Sequence, residues 1–208
     1  MLTGPAAQIH DIITRRLAKA DPRKDTLKFL FTGPPGNGKS TLCLLAAWHL
    51  LTGGQPAPSL DRRVLARHPH WSMVVQTASG TDVDVDVVRQ WNSSRGQFSM
   101  FGDWNIRIIE ELDAVPNVAQ TAMLAHLDNL PPGTAILASS NADTDLFQSR
   151  FQSRFQVWQV KPVPAEDVAR YIIQNMNIPA NTAHHIATLS NGDLRAAIND
   201  AQSYLDAQ

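Results

Sequence analysis

TLKFLFTGPPGNGKSTLCLLAAWHLL, residues 26–51, passes from a short apolar run through a glycine-rich turn into a long apolar stretch. TLKFLFT has strand character, and STLCLLAAWHLL reads as a buried helix. Between them GPPGNGKS, residues 33–40, fits G-x-x-x-x-G-K-[ST] at the place the chemistry needs it, after a strand and at the opening of a helix. Glycines at these positions let backbone N–H groups wrap phosphate, and the helix N-terminus adds partial positive charge. The reading places phosphate on Gly33, Pro34, Pro35, Gly36, Asn37, Gly38, Lys39, Ser40 and Thr41. Lys39 would reach the β- and γ-phosphates, and Ser40 would ligate Mg²⁺.

Outward from this turn, strand and helix patterns alternate. SMVVQTA (72–78), WNIRII (104–109), TAILASS (134–140) and FQVWQV (155–160) read as strands. IHDIITRRLA (9–18), VDVVRQWNSS (85–94) and VAQTAMLAHLDNL (118–130) read as helices. Such alternation predicts an α/β fold, a parallel five-stranded sheet flanked by helices. After Pro164 only helical patterns remain, in EDVARYIIQNM, NTAHHIATL and GDLRAAINDAQSYL. The expected division is an α/β nucleotide-binding domain over 1–162 and a small all-helical lid domain over 163–208.

Bulk properties narrow the function classes. The 208 residues suffice for one large domain or two small ones. A net charge of −1 gives no global attraction for nucleic acid, so such contact needs a local patch. The single cysteine, Cys43, excludes an internal disulfide and a cysteine-built zinc site, and its apolar setting predicts a buried thiol. No signal-like N-terminus and no apolar run of about 18 residues is present, so no membrane is expected and the cytoplasm is the expected compartment. His68 and His70 in RHPHW lack partner carboxylates or thiols and read as turn residues, not a metal site. The aspartates of VDVDV, Asp84 and Asp86, read as a helix N-terminal cluster.

Three further stretches carry candidate chemistry. IRIIEELDAV is an apolar strand that delivers carboxylates to the sheet edge, where Glu110 would hold magnesium through water and Glu111 would polarise an attacking water. ILASSN ends a strand with Asn141, either a holder of that water with Ser140 as its substitute, or a turn asparagine. FQSRFQSRF repeats at close to one helical turn, which would stack Phe147 on Phe151 and Arg150 on Arg154.

The order of these motifs, with GDLRAAIN in the helical tail, resembles the AAA+ ATPases and specifically their clamp-loader branch. The resemblance covers about nine-tenths of the chain. It implies ATP with Mg²⁺ as ligand, ATP hydrolysis, and oligomers that place ATP at subunit interfaces during DNA replication or a related DNA transaction. Arg154 would be the arginine that enters a neighbour's ATP site, with Arg150 as its backup, a phosphate contact or a solvent-facing residue. Arg195 would be the lid arginine on the γ-phosphate. The catalytic set so implied is Lys39, Glu111, Asn141, Arg154 and Arg195, and Ser40 and Glu110 form the metal set. The implied partners are further copies or related AAA+ subunits, DNA, and a sliding clamp or another replication protein. Arg89 and Arg95 are candidate DNA-backbone contacts or plain surface charge.

The departures from the family pattern define the competing readings. Glu110 stands where aspartate is usual, which favours a nucleotide-dependent scaffold with slow turnover. Phe155 replaces the cysteine of S-R-C, the N-terminal Arg-Pro segment is missing or replaced by TGPAAQ, the four-cysteine zinc module is missing, and no collar-domain pattern follows the lid within these 208 residues, which leaves a different assembly, a truncated chain or a protein other than a clamp loader open. A helicase loader or another phage- or plasmid-type replication ATPase is the alternative. TASGTDVDVDV carries no aromatic pore loop, which argues against a polypeptide-threading machine.

Overall fold

A computed structural model describes residues 2–93, 102–141 and 149–207. The chain runs α1 (Gly4–Leu17), β1 (Thr26–Thr32), α2 (Lys39–Thr52), α3 (Arg62–Leu65), α4 (Trp71–Val74), β2 (Val75–Ser79) and α5 (Val85–Ser93). It continues with β3 (Asn105–Glu110), α6 (Asn117–Asp128), β4 (Thr134–Ser140), α7 (Ser149–Gln152) and β5 (Gln156–Gln159). Three helices follow, α8 (Ala165–Met176), α9 (Ala180–Leu189) and α10 (Leu194–Asp206).

The five strands form one parallel sheet in the order β2-β3-β4-β1-β5. β4 is buried along its whole length, as a central strand covered on both faces must be. The two-residue period of the strands sorts side chains into two layers. Phe29 and Phe31 of β1, Ile106 and Ile108 of β3, and Leu137 of β4 pack with α1 and α2. Leu30, Ile109 and Ile136 face the other way, onto α5, α6 and Phe151. Each fully buried side chain of this size contributes about 1.5–3 kcal/mol. α2 lies between the sheet and α1, which is why it is apolar almost all round. Cys43 lies fully buried there, and burial pushes its thiol pKa upward.

The expected strand over 72–78 is corrected at its start. Residues 71–74 form a helical turn that buries Trp71 and Val74, and β2 begins at Val75. α3 arises from a signal inside what reads as loop, because the Asp61 carboxylate caps it by accepting from the Arg63 N–H at 2.8 Å. The Asp84 carboxylate likewise accepts from the Val87 N–H at 2.8 Å at the start of α5.

Within the FQSR repeat, Ser149–Gln152 form the short α7. Phe151 is fully buried and meets the Phe155 ring at 5.5 Å between centroids. Phe147 and Arg95 lie outside the described residues. Trp91 and Trp104 are core residues, and Arg89 is exposed and pairs with Asp86 at 2.8 Å. His68 stacks edge-on against Trp48, and no metal-ligating cluster occurs among the described residues. No helix among them is long and apolar enough to cross a membrane.

Candidate functional site

Because β1 pairs with β4 rather than β2, the carboxyl ends of β1, β4 and β3 lie side by side, and the loops after them open a crevice there. Thr32 at the end of β1 is level with Ser140 at the end of β4. The resulting cleft of about 300 Å³ is lined by residues of the glycine-rich turn including Gly36, Lys39, Ser40 and Thr41, and by Glu110, Glu111, Asn141 and Arg195. Residues from four separate segments thus converge. Ser140 is buried and lies in the sheet just before Asn141.

The turn needs its glycines. Gly33 adopts φ +136° and packs so closely on β5 that an added Cβ would lie 2.1 Å from the Val160 carbonyl oxygen. Gly36 at φ +75° lies beneath Asp193, whose carboxylate would meet an added Cβ at 1.7 Å. Asp193 also caps α10 by accepting from the Ala196 N–H at 2.9 Å. That cap sets the first turn of α10, and with it Arg195, over the glycine-rich turn.

Lys39 is buried, and its ammonium donates to the Pro34 carbonyl at 2.7 Å. Burial lowers its pKa below the ordinary lysine value, and the positive charge of Arg195 lowers it further. The carboxylates of Asp113 and Asp193 act in the opposite direction and offset part of this shift.

On the acidic side, Glu111 adopts the left-handed conformation at φ 56°, ψ 52°. The fit is tight, since a Cβ on Gly80 would lie 2.0 Å from the Glu111 carbonyl oxygen. A non-glycine residue held at positive φ over-determined by its neighbours is typical of a functional turn. Asp113, which the sequence reading left without a role, accepts from the Asn141 backbone N–H at 3.1 Å and ties the ends of β3 and β4 together. Glu110 makes an ion pair with Arg62 of α3 at 3.2 Å. Arg62 was also missed, because nothing local in LDRRVL points to a residue 48 positions away.

Beside the cleft a second recess of about 250 Å³ lies between α1, the glycine-rich turn and α10. Leu2, Ala6, Leu60, Tyr171 and Ile198 give it apolar walls. The buried Asn37 side chain borders it with an amide oxygen that has no hydrogen-bond partner. A cationic phosphate cradle next to an apolar slot fits a nucleotide. The hydroxyl of Ser40 and the carboxylate of Glu110 are hard oxygen donors, the set Mg²⁺ prefers.

Arg154 is not in this cleft. It lies two residues before Gln156, which pairs with Phe29, and so sits near the amino end of β1 beside Arg16 and Lys28. Its guanidinium grips the Asp128 carboxylate with two bonds, at 2.9 and 3.0 Å, and also donates to the Arg150 carbonyl. These bonds hold the Asp128 carboxyl below its ordinary pKa and raise that of Arg154. The Arg150 side chain is exposed on α7.

No protein-family model matches the chain. Its homologues are replication factor C subunits of eukaryotes and archaea. Replication factor C subunit 3 of Saccharomyces cerevisiae is 28% identical over 183 residues, covering 84% of this chain and 48% of that protein. The replication factor C small subunit of Methanocella arvoryzae is 27% identical over 201 residues, covering 93% and 58%. Among solved structures, RuvB of Thermotoga maritima matches with a TM-score of 0.66 at 17% identity, over 97% of this chain and 61% of that one. A DNA polymerase III gamma subunit-related protein of Thermotoga maritima matches with a TM-score of 0.60 at 12% identity, over 93% and 57%. The fold is that of the AAA+ P-loop ATPases. The chain spans about half to three-fifths of the length of the relatives it matches.

Proposed function

From a chain that is a homologue of clamp-loader subunits and has the AAA+ fold, we propose an ATPase that works as an oligomer in DNA replication or a related DNA transaction, with ATP held between subunits. The observation that carries this reading is a division within one chain. Lys39, Glu110, Glu111, Asn141 and Arg195 share one cleft, while Arg154 lies at the opposite end of β1. A single subunit therefore keeps Arg154 away from its own cleft, where Arg195 is the arginine present. Head-to-tail association of copies or of related subunits brings the Arg154 of one subunit to the cleft of the next.

Each residue then has a chemical task. The backbone N–H groups of the glycine-rich turn and the Lys39 ammonium take the β- and γ-phosphates, and the recess at Leu2, Tyr171 and Ile198 takes the base. Ser40 and Glu110 hold Mg²⁺, which when bound neutralises phosphate charge. Asn141 positions water, and Glu111 accepts its proton as the oxygen attacks the γ-phosphorus and ADP departs. Arg195 from the lid and Arg154 from a neighbour stabilise the charge that develops on the transferred group. The working parts are the α/β unit of residues 1–162 and the helical lid of residues 163–208. DNA and a sliding clamp or another replication protein are the partners that the homology supports.

The test is the steady-state ATPase rate against protein concentration, with and without primer–template DNA. A rate per subunit that climbs with concentration, and climbs further with DNA, is expected. A low, flat rate indifferent to DNA refutes this reading. It favours instead the nucleotide-dependent scaffold, for which the pairing of Glu110 with Arg62 is the specific observation.

A further inference from the structure

The Glu110–Arg62 ion pair gives the glutamate at this position a second occupation. Arg62 reaches it from α3, a four-residue helix whose place is fixed at both ends. The Asp61 carboxylate caps its start. Leu65 at its other end is fully buried in the core. The preceding loop is tied down as well, because the Trp48 indole N–H donates to the Gln55 carbonyl at 3.0 Å. Arg62 is thus presented to the carboxyl end of β3 by a built support and not by a wandering loop. The extra methylene of glutamate carries the carboxylate out to meet it, where an aspartate would fall one carbon–carbon bond short.

Glu110 also belongs to the oxygen donors facing the phosphate cradle. One carboxylate cannot give its full charge to a guanidinium and to a divalent cation at once, and the two cations repel each other at such separations. We propose that Arg62 is a positioning residue that holds the Glu110 carboxylate until a divalent cation takes it, so that metal entry competes with an internal cation. Side-chain exposures of 47% for Arg62 and 29% for Glu110 let solvent screen the pair and let the arginine swing away once displaced. The effect on metal binding is therefore modest, about two- to fivefold, as for other partly exposed pairs. This inference rests on the nucleotide site proposed above.

The experiment measures affinity for a fluorescent ATP analogue in EDTA and again at saturating Mg²⁺. The ratio of the two dissociation constants is the coupling between metal and nucleotide, read without turnover. Arg62→Ala should raise this ratio about two- to fivefold. Arg63→Ala, which removes the same charge one residue away, should leave it unchanged. In a Glu110→Asp background, where the pair is already broken, Arg62→Ala should shift the ratio less than in the native protein. A ratio that stays the same or falls in Arg62→Ala overturns the proposal while leaving the nucleotide site intact. Absence of analogue binding by the native protein in either condition overturns the site itself.

Discussion

On the proposed reading Arg154→Ala and Glu111→Gln damage different halves of one interface, and mixing them tests whether the site is shared. The geometry excludes service in cis. Arg154 lies two residues before Gln156, the partner of Phe29, and the rise along β1 from Phe29 to Gly33 alone is about 13 Å at ~3.3 Å per residue, beyond one side chain. Loss of an arginine supplied by a neighbour lowers the rate by about 10³–10⁵. Each variant alone should therefore be nearly inactive. In an equal mixture that assembles at random, about a quarter of head-to-tail interfaces pair an intact Glu111 with an intact Arg154. Phosphate release at fixed total protein, measured across mixing ratios with primer–template DNA present, should trace an arch that peaks at the equal mixture near a quarter of the native rate. If every ratio gives only the weighted mean of the two single variants, the shared site is wrong.

Other outcomes follow from the same geometry. Glu111→Gly should stabilise the fold by about 0.5–1 kcal/mol in denaturant unfolding while abolishing turnover, because relief of about 1–2 kcal/mol of left-handed strain outweighs the greater entropy glycine loses on folding. Gly36→Ala should lose at least about 1–2 kcal/mol from its own positive φ, and should also weaken nucleotide binding by calorimetry through the clash with Asp193. The Asp128 carboxyl, titrated by NMR, should move up toward its ordinary value of 3.8 in Arg154→Ala. Since its pKa in the fold is depressed, the pair stabilises fully above that ordinary value and loses its contribution as pH falls through the lower one, so the variant should show a shallower acid limb of stability.

The parts legible in the sequence are those where local pattern and long-range packing agree. TLKFLFT and TAILASS become strands over the predicted residues, because their alternate side chains meet two separate apolar layers. SMVVQTA fails at its start because a short apolar run suits a buried helical turn as well as a strand, and Trp71 needs the core. The convergence of Lys39, Glu110, Glu111 and Asn141 follows from the carboxyl ends of parallel strands, whereas Arg195 is brought there by α10, capped by Asp193 over Gly36. Arg62 and Asp113 were invisible because their partners, Glu110 and Asn141, lie far off in the chain and carry no mark of the contact. The place of Arg154 before β5 is legible in the sequence, whereas its grip on Asp128 leaves no mark in the spacing.

α8, α9 and α10 enclose an apolar core that shares no buried residue with the two clusters holding the sheet. They meet the sheet unit along a seam where Asp193 rests over Gly36, Gly192 abuts Pro162 and Val163, and Gly4 lies against Val163 and Asp167. The end of α10 that carries Arg195 lies at this seam. The 13 residues of α10 extend about 20 Å from that point, so a tilt of about 10° carries Tyr204 and Leu205 through about 3 Å. A tilt of that size would carry a change at the cleft out to the far end of α10.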